Sequence, residues 1–184
     1  KAWVGPKVAS VTVHLLADGV DTGKTLTLNE ANHWTGTFSD LAKYKNGGTE
    51  IAYTVKEDAV PNYNSETTGD AATGFTVTNT NTEKVTVPVE KKWVGPTASS
   101  VTVHLLADGT DTGKTLTLDA AGNWVGSFAD LAKYNADGAE IAYTVKEDAV
   151  EGYTSTTADV AGTKTITNKY TPATAEVKVT KAWV

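Results

Sequence analysis

One strand-like stretch of the chain carries a lysine where an apolar residue is expected. Val85, Val87, Val89, Lys91 and Trp93 alternate with Thr86, Pro88, Glu90 and Lys92. Successive residues of a strand point to opposite faces, so these five share one face. The stripe returns as Val177, Val179, Lys181 and Trp183, and Lys1 and Trp3 repeat its last two members. Two further stripes end on a polar residue. Ile51, Tyr53 and Val55 lead to Glu57, and Ile141, Tyr143 and Val145 lead to Glu147. Phe75 and Val77 lead to Asn79, and Ile166 leads to Asn168. Each set directs one Lys, one Glu and one Asn toward an interior from three separate strands.

Burial gives these residue types a specific chemistry. It drives lysine toward the neutral amine, a nucleophile, and glutamate toward the neutral acid, which can donate a hydrogen bond and relay protons. A carboxamide is a poor electrophile, but fixed proximity can supply effective molarities of about 10⁵–10⁸ M. Together the three are the components of a self-made amide, in which Lys attacks the Asn side chain, Glu assists and ammonia leaves. Periodicity alone leaves two outcomes open: this amide, or a hydrogen-bonded buried ion pair with no covalent bond.

The elements that must position these residues recur at a fixed period. SVTVHLLADG at 10–19 returns at 100–109, DTGKTLTL at 21–28 at 111–118, DLAKY at 40–44 at 130–134, and IAYTVKEDAV at 51–60 at 141–150. KAWVG at 1–5 returns as KKWVG at 91–95, and KAWV occurs again at 181–184. The pattern predicts domains at 1–82 and 83–171, with 172–184 as the first strand of a third. Val11, Val13 and Leu15 alternate with polar residues, as do Leu26 and Leu28, and turn signals such as Ala17-Asp18-Gly19 and Asn46-Gly47-Gly48 separate the runs. Short alternating strands at this spacing predict an all-β chain of two tandem antiparallel sandwiches. The DLAKY segment reads as a single helical turn, and the short connections read as a stiff rod.

Composition removes several function classes. A net charge of −6 without a basic cluster argues against nucleic acid and anionic membranes. No apolar run approaches the ~18 residues of a membrane-spanning helix. Cys and Met are both absent, which excludes a disulfide framework, thiol catalysis and thiolate metal sites. His14 and His104 fall on the outer face and read as surface residues, and Asp18 and Asp21 read as turn residues rather than calcium ligands. Trp3 and Trp93 share the lysine face and read as covers of the core. Trp34 and Trp124 read as half-buried strand residues. The sequence starts and stops inside its own motifs and reads as an excised piece of something longer.

The pattern K-x-W on a first strand, YTVKEDAV before a Tyr, and T-N on a last strand resembles the Cna B-type, prealbumin-like domains of Gram-positive surface adhesins and pilins. Residues 53–63 (YTVKEDAVPNY) are similar to the pilin E-box Y-x-L-x-E-T-x-A-P-x-G-Y, with Val for Leu, Asp for Thr and Asn62 for Gly. Glu151 replaces the Pro in the second copy. The resemblance implies an Ig-like sandwich and intramolecular isopeptide bonds Lys1–Asn79, assisted by Glu57, and Lys91–Asn168, assisted by Glu147. Neither a sortase pilin motif nor an LPxTG anchor occurs in the sequence, so a polymerised shaft is not supported.

The leading functional expectation is a structural stalk repeat of an extracellular, wall-attached adhesin, with neighbouring repeats of its own chain as partners and no cofactor. The alternative is a binding module that contacts host matrix protein or glycan through the divergent segments 29–37, 119–127, 61–74 and 151–163. An enzyme acting on outside substrates is disfavoured, because only Glu57 and Glu147 face inward.

Overall fold

A computed structural model describes residues 1–172 and 174–183 of the chain. The chain divides into two compact units, Lys1–Lys84 with Ala132–Ile141, and Val85–Leu131 with Ala142–Val184. Among the described residues the regular elements are strands and one short 3-10 turn at Glu30–Asn32.

The first repeat contains β1 (Ala2–Val4), β2 (Ser10–Ala17), β3 (Val20–Asn29), β4 (Tyr53–Glu57), β5 (Tyr63–Asp70) and β6 (Gly74–Asn81). They form two sheets, ordered β1-β6-β5 and β3-β2-β4. The second repeat contains β7 (Lys84–Val94), β8 (Ser100–Ala107), β9 (Thr110–Asp119), β10 (Val125–Ala132), β11 (Tyr143–Glu147), β12 (Tyr153–Val160) and β13 (Thr163–Tyr170). Its sheets are ordered β10-β7-β13-β12 and β11-β8-β9. Alternation sets both cores: Val11, Val13 and Leu15 are buried along β2, and Val101, Val103 and Leu105 along β8. The β2–β3 hairpin closes through Asp18 and Gly19, both at positive φ, the geometry that two-residue hairpin turns require.

The fold is the expected sandwich, with one refinement. First and last strands run parallel, β1 against β6 and β7 against β13, while the hairpin pairs run antiparallel. The intervening strands carry the chain between the two sheets before it returns, so no tight hairpin forces an antiparallel direction.

Two local expectations are corrected. DLAKY is not helical: Asp40 and Asp130 are left-handed at φ 56° and 55°, and Asp130–Ala132 end β10. Tyr44 and Tyr134 then form isolated bridges with Glu50 and Glu140. Trp34 and Trp124 are not strand residues but turn residues at φ 58° and 61°, with Trp34 fully buried and Trp124 half-buried. Within 172–184, residues 173 and 184 lie outside the described residues; the others form no strand, and Val177, Val179 and Trp183 are more than four-fifths exposed. Among the described residues no strand lies beside this segment.

Candidate crosslinking sites

Strand register assembles the two triads. Trp3 stands opposite Asn79, and Trp93 opposite Asn168. Lys91 stands opposite Ile166, two residues before Asn168. Lysine and asparagine are therefore diagonal neighbours on adjacent parallel strands, facing the same way. The glutamates come from the other sheet: Glu57 ends β4 opposite Val13, and Glu147 ends β11 opposite Val103. Each carboxylate reaches across the sandwich to a lysine.

Lys1 Nζ lies 2.9 Å from Glu57 Oε1, and Lys91 Nζ 3.3 Å from Glu147 Oε1. All four side chains are sealed from solvent, at 0–1% exposure. Asn79 and Asn168 are completely buried, and neither carboxamide makes a hydrogen bond through its oxygen or its nitrogen. Buried amides almost always find partners, and an unpaired one is costly. Burial pulls both lysines below the ordinary ammonium range, and the facing glutamate opposes that shift.

Each lysine is also held under an aromatic lid. Lys1 Nζ sits 4.5 Å from the Trp3 ring centre and Lys91 Nζ 4.3 Å from that of Trp93. Trp3 packs edge-on against Trp34 and Tyr63, and Trp93 against Trp124 and Tyr153. These rings keep water from the amine, so Trp3 and Trp93 serve as core covers.

Two supporting contacts carry no signal in the alternation. The backbone carbonyl of Trp34 accepts from the Lys1 amino terminus at 3.1 Å, and that of Trp124 from the Lys91 amide at 2.8 Å. The left-handed turn at each Trp aims that carbonyl. Tyr63 donates its hydroxyl to the Pro6 carbonyl, and Tyr153 donates to that of Pro96 at 2.6 Å. Both span the same separation of 57 residues. That repeated Gly-Pro/Tyr spacing is the sequence signal that could have found them. One difference separates the sites: Ser155 Oγ donates to Glu147 Oε2 at 3.1 Å, whereas Glu57 Oε2 has no hydrogen-bond partner.

An amine, a carboxyl and a carboxamide, all buried and all from different strands, are the components of an amide that would join the first and last strands of a domain. The model of the Cna protein B-type domain matches residues 2–80 and again 87–169. The chain belongs to the Cna B-type family. It is 41% identical over 187 aligned positions to a collagen adhesin of Staphylococcus aureus, covering 97% of this chain and 15% of that protein. The chain thus spans about one seventh of the length of that relative. A solved single B repeat unit of the collagen-binding surface protein of S. aureus is 34% identical, covering 93% of this Cna B-type chain and 95% of that one, with a TM-score of 0.46. A two-unit structure of the same protein is also 34% identical, covering 92% and 48%, with a TM-score of 0.45. The two matches to the family model make the chain a pair of B-type repeats of the kind found in Gram-positive surface adhesins.

Proposed function

We propose that this chain is a stalk segment of a bacterial surface adhesin, in which each repeat locks itself with one isopeptide bond. The repeats are residues 1–82 and 83–171, and 172–184 begin the next. The neutral amine of Lys91 attacks Cγ of Asn168. Glu147 first donates its proton to the carboxamide oxygen, then relays protons to the departing nitrogen. A Cγ–Nζ bond forms, the Cγ–Nδ2 bond breaks, and ammonia leaves with the balancing protons. Lys1, Asn79 and Glu57 do the same in the first repeat. The step occurs once per domain and consumes no outside substrate.

The observation that carries this reading is the pair of fully buried carboxamides with no hydrogen-bond partner, each diagonal to a buried lysine that faces a buried glutamate. A settled ion-pair core would leave no such amide unpaired. The stalk role is supported by the placement of the crosslink between first and last strands, where tension enters and leaves a domain. With the bond in place, tension bypasses residues 92–167 and only residues 80–90 lengthen between crosslinks. Membership of the family supports a parent outside the cell, and attachment to the wall is part of the same proposal. What the staphylococcal relative is named for binding is a property of a protein of which this chain matches 15%.

The test is the intact mass of the purified chain. Two ammonia losses are expected. Lys91→Ala, Asn168→Ala or Glu147→Ala each restore the mass of one ammonia, after allowance for the substitution. A wild-type chain at full calculated mass would falsify the reading. In single-molecule pulling, the wild type gives no domain-sized extension, and Glu147→Ala regains one from the second repeat only.

A further inference from the structure

The strand register of the second repeat brings a serine to the buried glutamate. β13 lies between β7 and β12, and Asn168 has Trp93 on one side and Ser155 on the other. Residues directly opposite in a ladder share a face, so Ser155 and Asn168 both turn inward. Lys91 joins them diagonally from β7. Three adjacent strands thus present Lys91, Asn168 and Ser155 on one face, with Asn168 in the middle.

Glu147 meets that row from the other sheet and is held at both oxygens. Oε1 lies 3.3 Å from Lys91 Nζ, and Oε2 accepts from Ser155 Oγ at 3.1 Å. The two ties come from the strands on either side of β13, so the carboxyl straddles the strand that carries Asn168. Ser155 belongs to an edge strand and is exposed as a residue, a setting in which a hydroxyl is ordinarily hydrated. Its hydroxyl instead serves a carboxyl that is 1% exposed. Ser65 occupies the same place in the first repeat, opposite Asn79, but there Glu57 Oε2 has no hydrogen-bond partner.

We propose that Ser155 is a positioning residue for the bond between Lys91 and Asn168. The inference rests on the reading that these two residues join. A hydroxyl that donates to Oε2 leaves the carboxyl proton to Oε1, the oxygen beside the amine. Oε1 gives that proton to the carboxamide oxygen and takes one from Nζ as the Cγ–Nζ bond forms. The Cγ–Nδ2 bond then breaks, the nitrogen leaves as ammonia with the hydrogen that Nζ lost, and the carboxyl ends as it began. Between giving and taking its proton Glu147 is an anion, and a hydrogen bond to an anion is the stronger kind. Without the hydroxyl the carboxyl is tied at one oxygen only, and fewer of its orientations aim the proton at Asn168.

The test follows the full chain as it is made. In cell-free translation stopped with acid at intervals, mass spectrometry of a digest measures the Lys91–Asn168 and Lys1–Asn79 linked peptides separately. Ser155→Val and Ser155→Ala should form the second bond about tenfold or more slowly, the effect of losing one hydrogen bond to a charged group. Both should still reach completion. Ser155→Thr, which has the shape of the Val variant and keeps the hydroxyl, should stay within about twofold of wild type. Ser65→Val should leave the first bond at its wild-type rate. If Val and Thr at position 155 act alike, the proposal is overturned while the crosslink stands. A yield that stops short of completion in both the Val and Ala chains makes Ser155 part of the fold and also overturns it, as does equal slowing of the first bond by Ser65→Val. A wild-type digest with no Lys91–Asn168 peptide removes the crosslink reading itself, and this inference with it.

Discussion

The two repeats share a sequence pattern and differ in one strand. β7 runs for 11 residues and brings Val87 and Val89 into its core, while β1 runs for three and the sequence supplies only Lys1 before it. Phe128 and Leu131 are buried on β10, whereas their counterparts Phe38 and Leu41 are only half-buried. Yet the crosslinking site is as tightly built in the first repeat, where Lys1 lies 2.9 Å from its glutamate, as in the second, at 3.3 Å. One strand thus performs two separable tasks. Its residues before the lysine close the core, and its residues from the lysine onward build the site.

The largest expected effect comes from removing the proposed crosslink where the core is closed. Glu147→Ala leaves Lys91 unbonded and its charge unpaired. A crosslink across a loop of this size contributes on the order of 4 kcal/mol by chain-entropy reasoning. Calorimetry should show only the second-repeat transition falling, and Glu57→Ala should lower only the first. A coupled fall of both would break the comparison.

Next in size are the paired phenylalanines. Phe128→Ala should cost about 3–5 kcal/mol in guanidinium unfolding of the second repeat, and Phe38→Ala distinctly less, because its ring is already part-solvated. Equal losses would mean that Phe38 is packed as fully as Phe128. Smaller still, Tyr153→Phe removes the hydrogen bond to Pro96 and should cost about 1 kcal/mol, with the fold retained by circular dichroism.

The smallest effect is a pH slope. In Asn168→Ala the Lys91 amine stays free, with its pKa held below 10.5 by burial. The unfolded chain then binds that proton more tightly than the folded one. Unfolding free energy should therefore rise with pH between the lowered value and about 10.5, by at most ~1.4 kcal/mol per pH unit. With the proposed amide in place the wild type has no such amine in its second repeat, and the difference between the two titrations should vanish if Lys91 is solvated.

Five of the six clustered residues were legible because each interrupts or ends an apolar alternation, a signal that depends only on the two-residue period of a strand, and Lys1 was legible from the repeat. Alternation assigns a face but neither a neighbour nor a direction, so the parallel pairing of β7 with β13 was invisible. DLAKY misled because Leu131 and Tyr134 sit at helical spacing, while the left-handed Asp130 that breaks a helix has no mark in composition. Trp34 and Trp124 misled for the same reason: a tryptophan at positive φ is rare, and nothing local announces it. The carbonyls they aim at the lysine backbone were therefore missed as well.

The parallel pairing of first and last strands fixes how a repeat meets a pull. Two neighbouring strands that run the same way place the entry of the domain at one end and its exit at the other. Pulled apart, they slide along one another, and the ladder between Lys164–Lys169 and Val89–Val94 is loaded in shear, all its hydrogen bonds at once. An antiparallel pair would be peeled open one bond at a time. The direction of a single strand makes each repeat a series element in the line of tension rather than a pendant beside it.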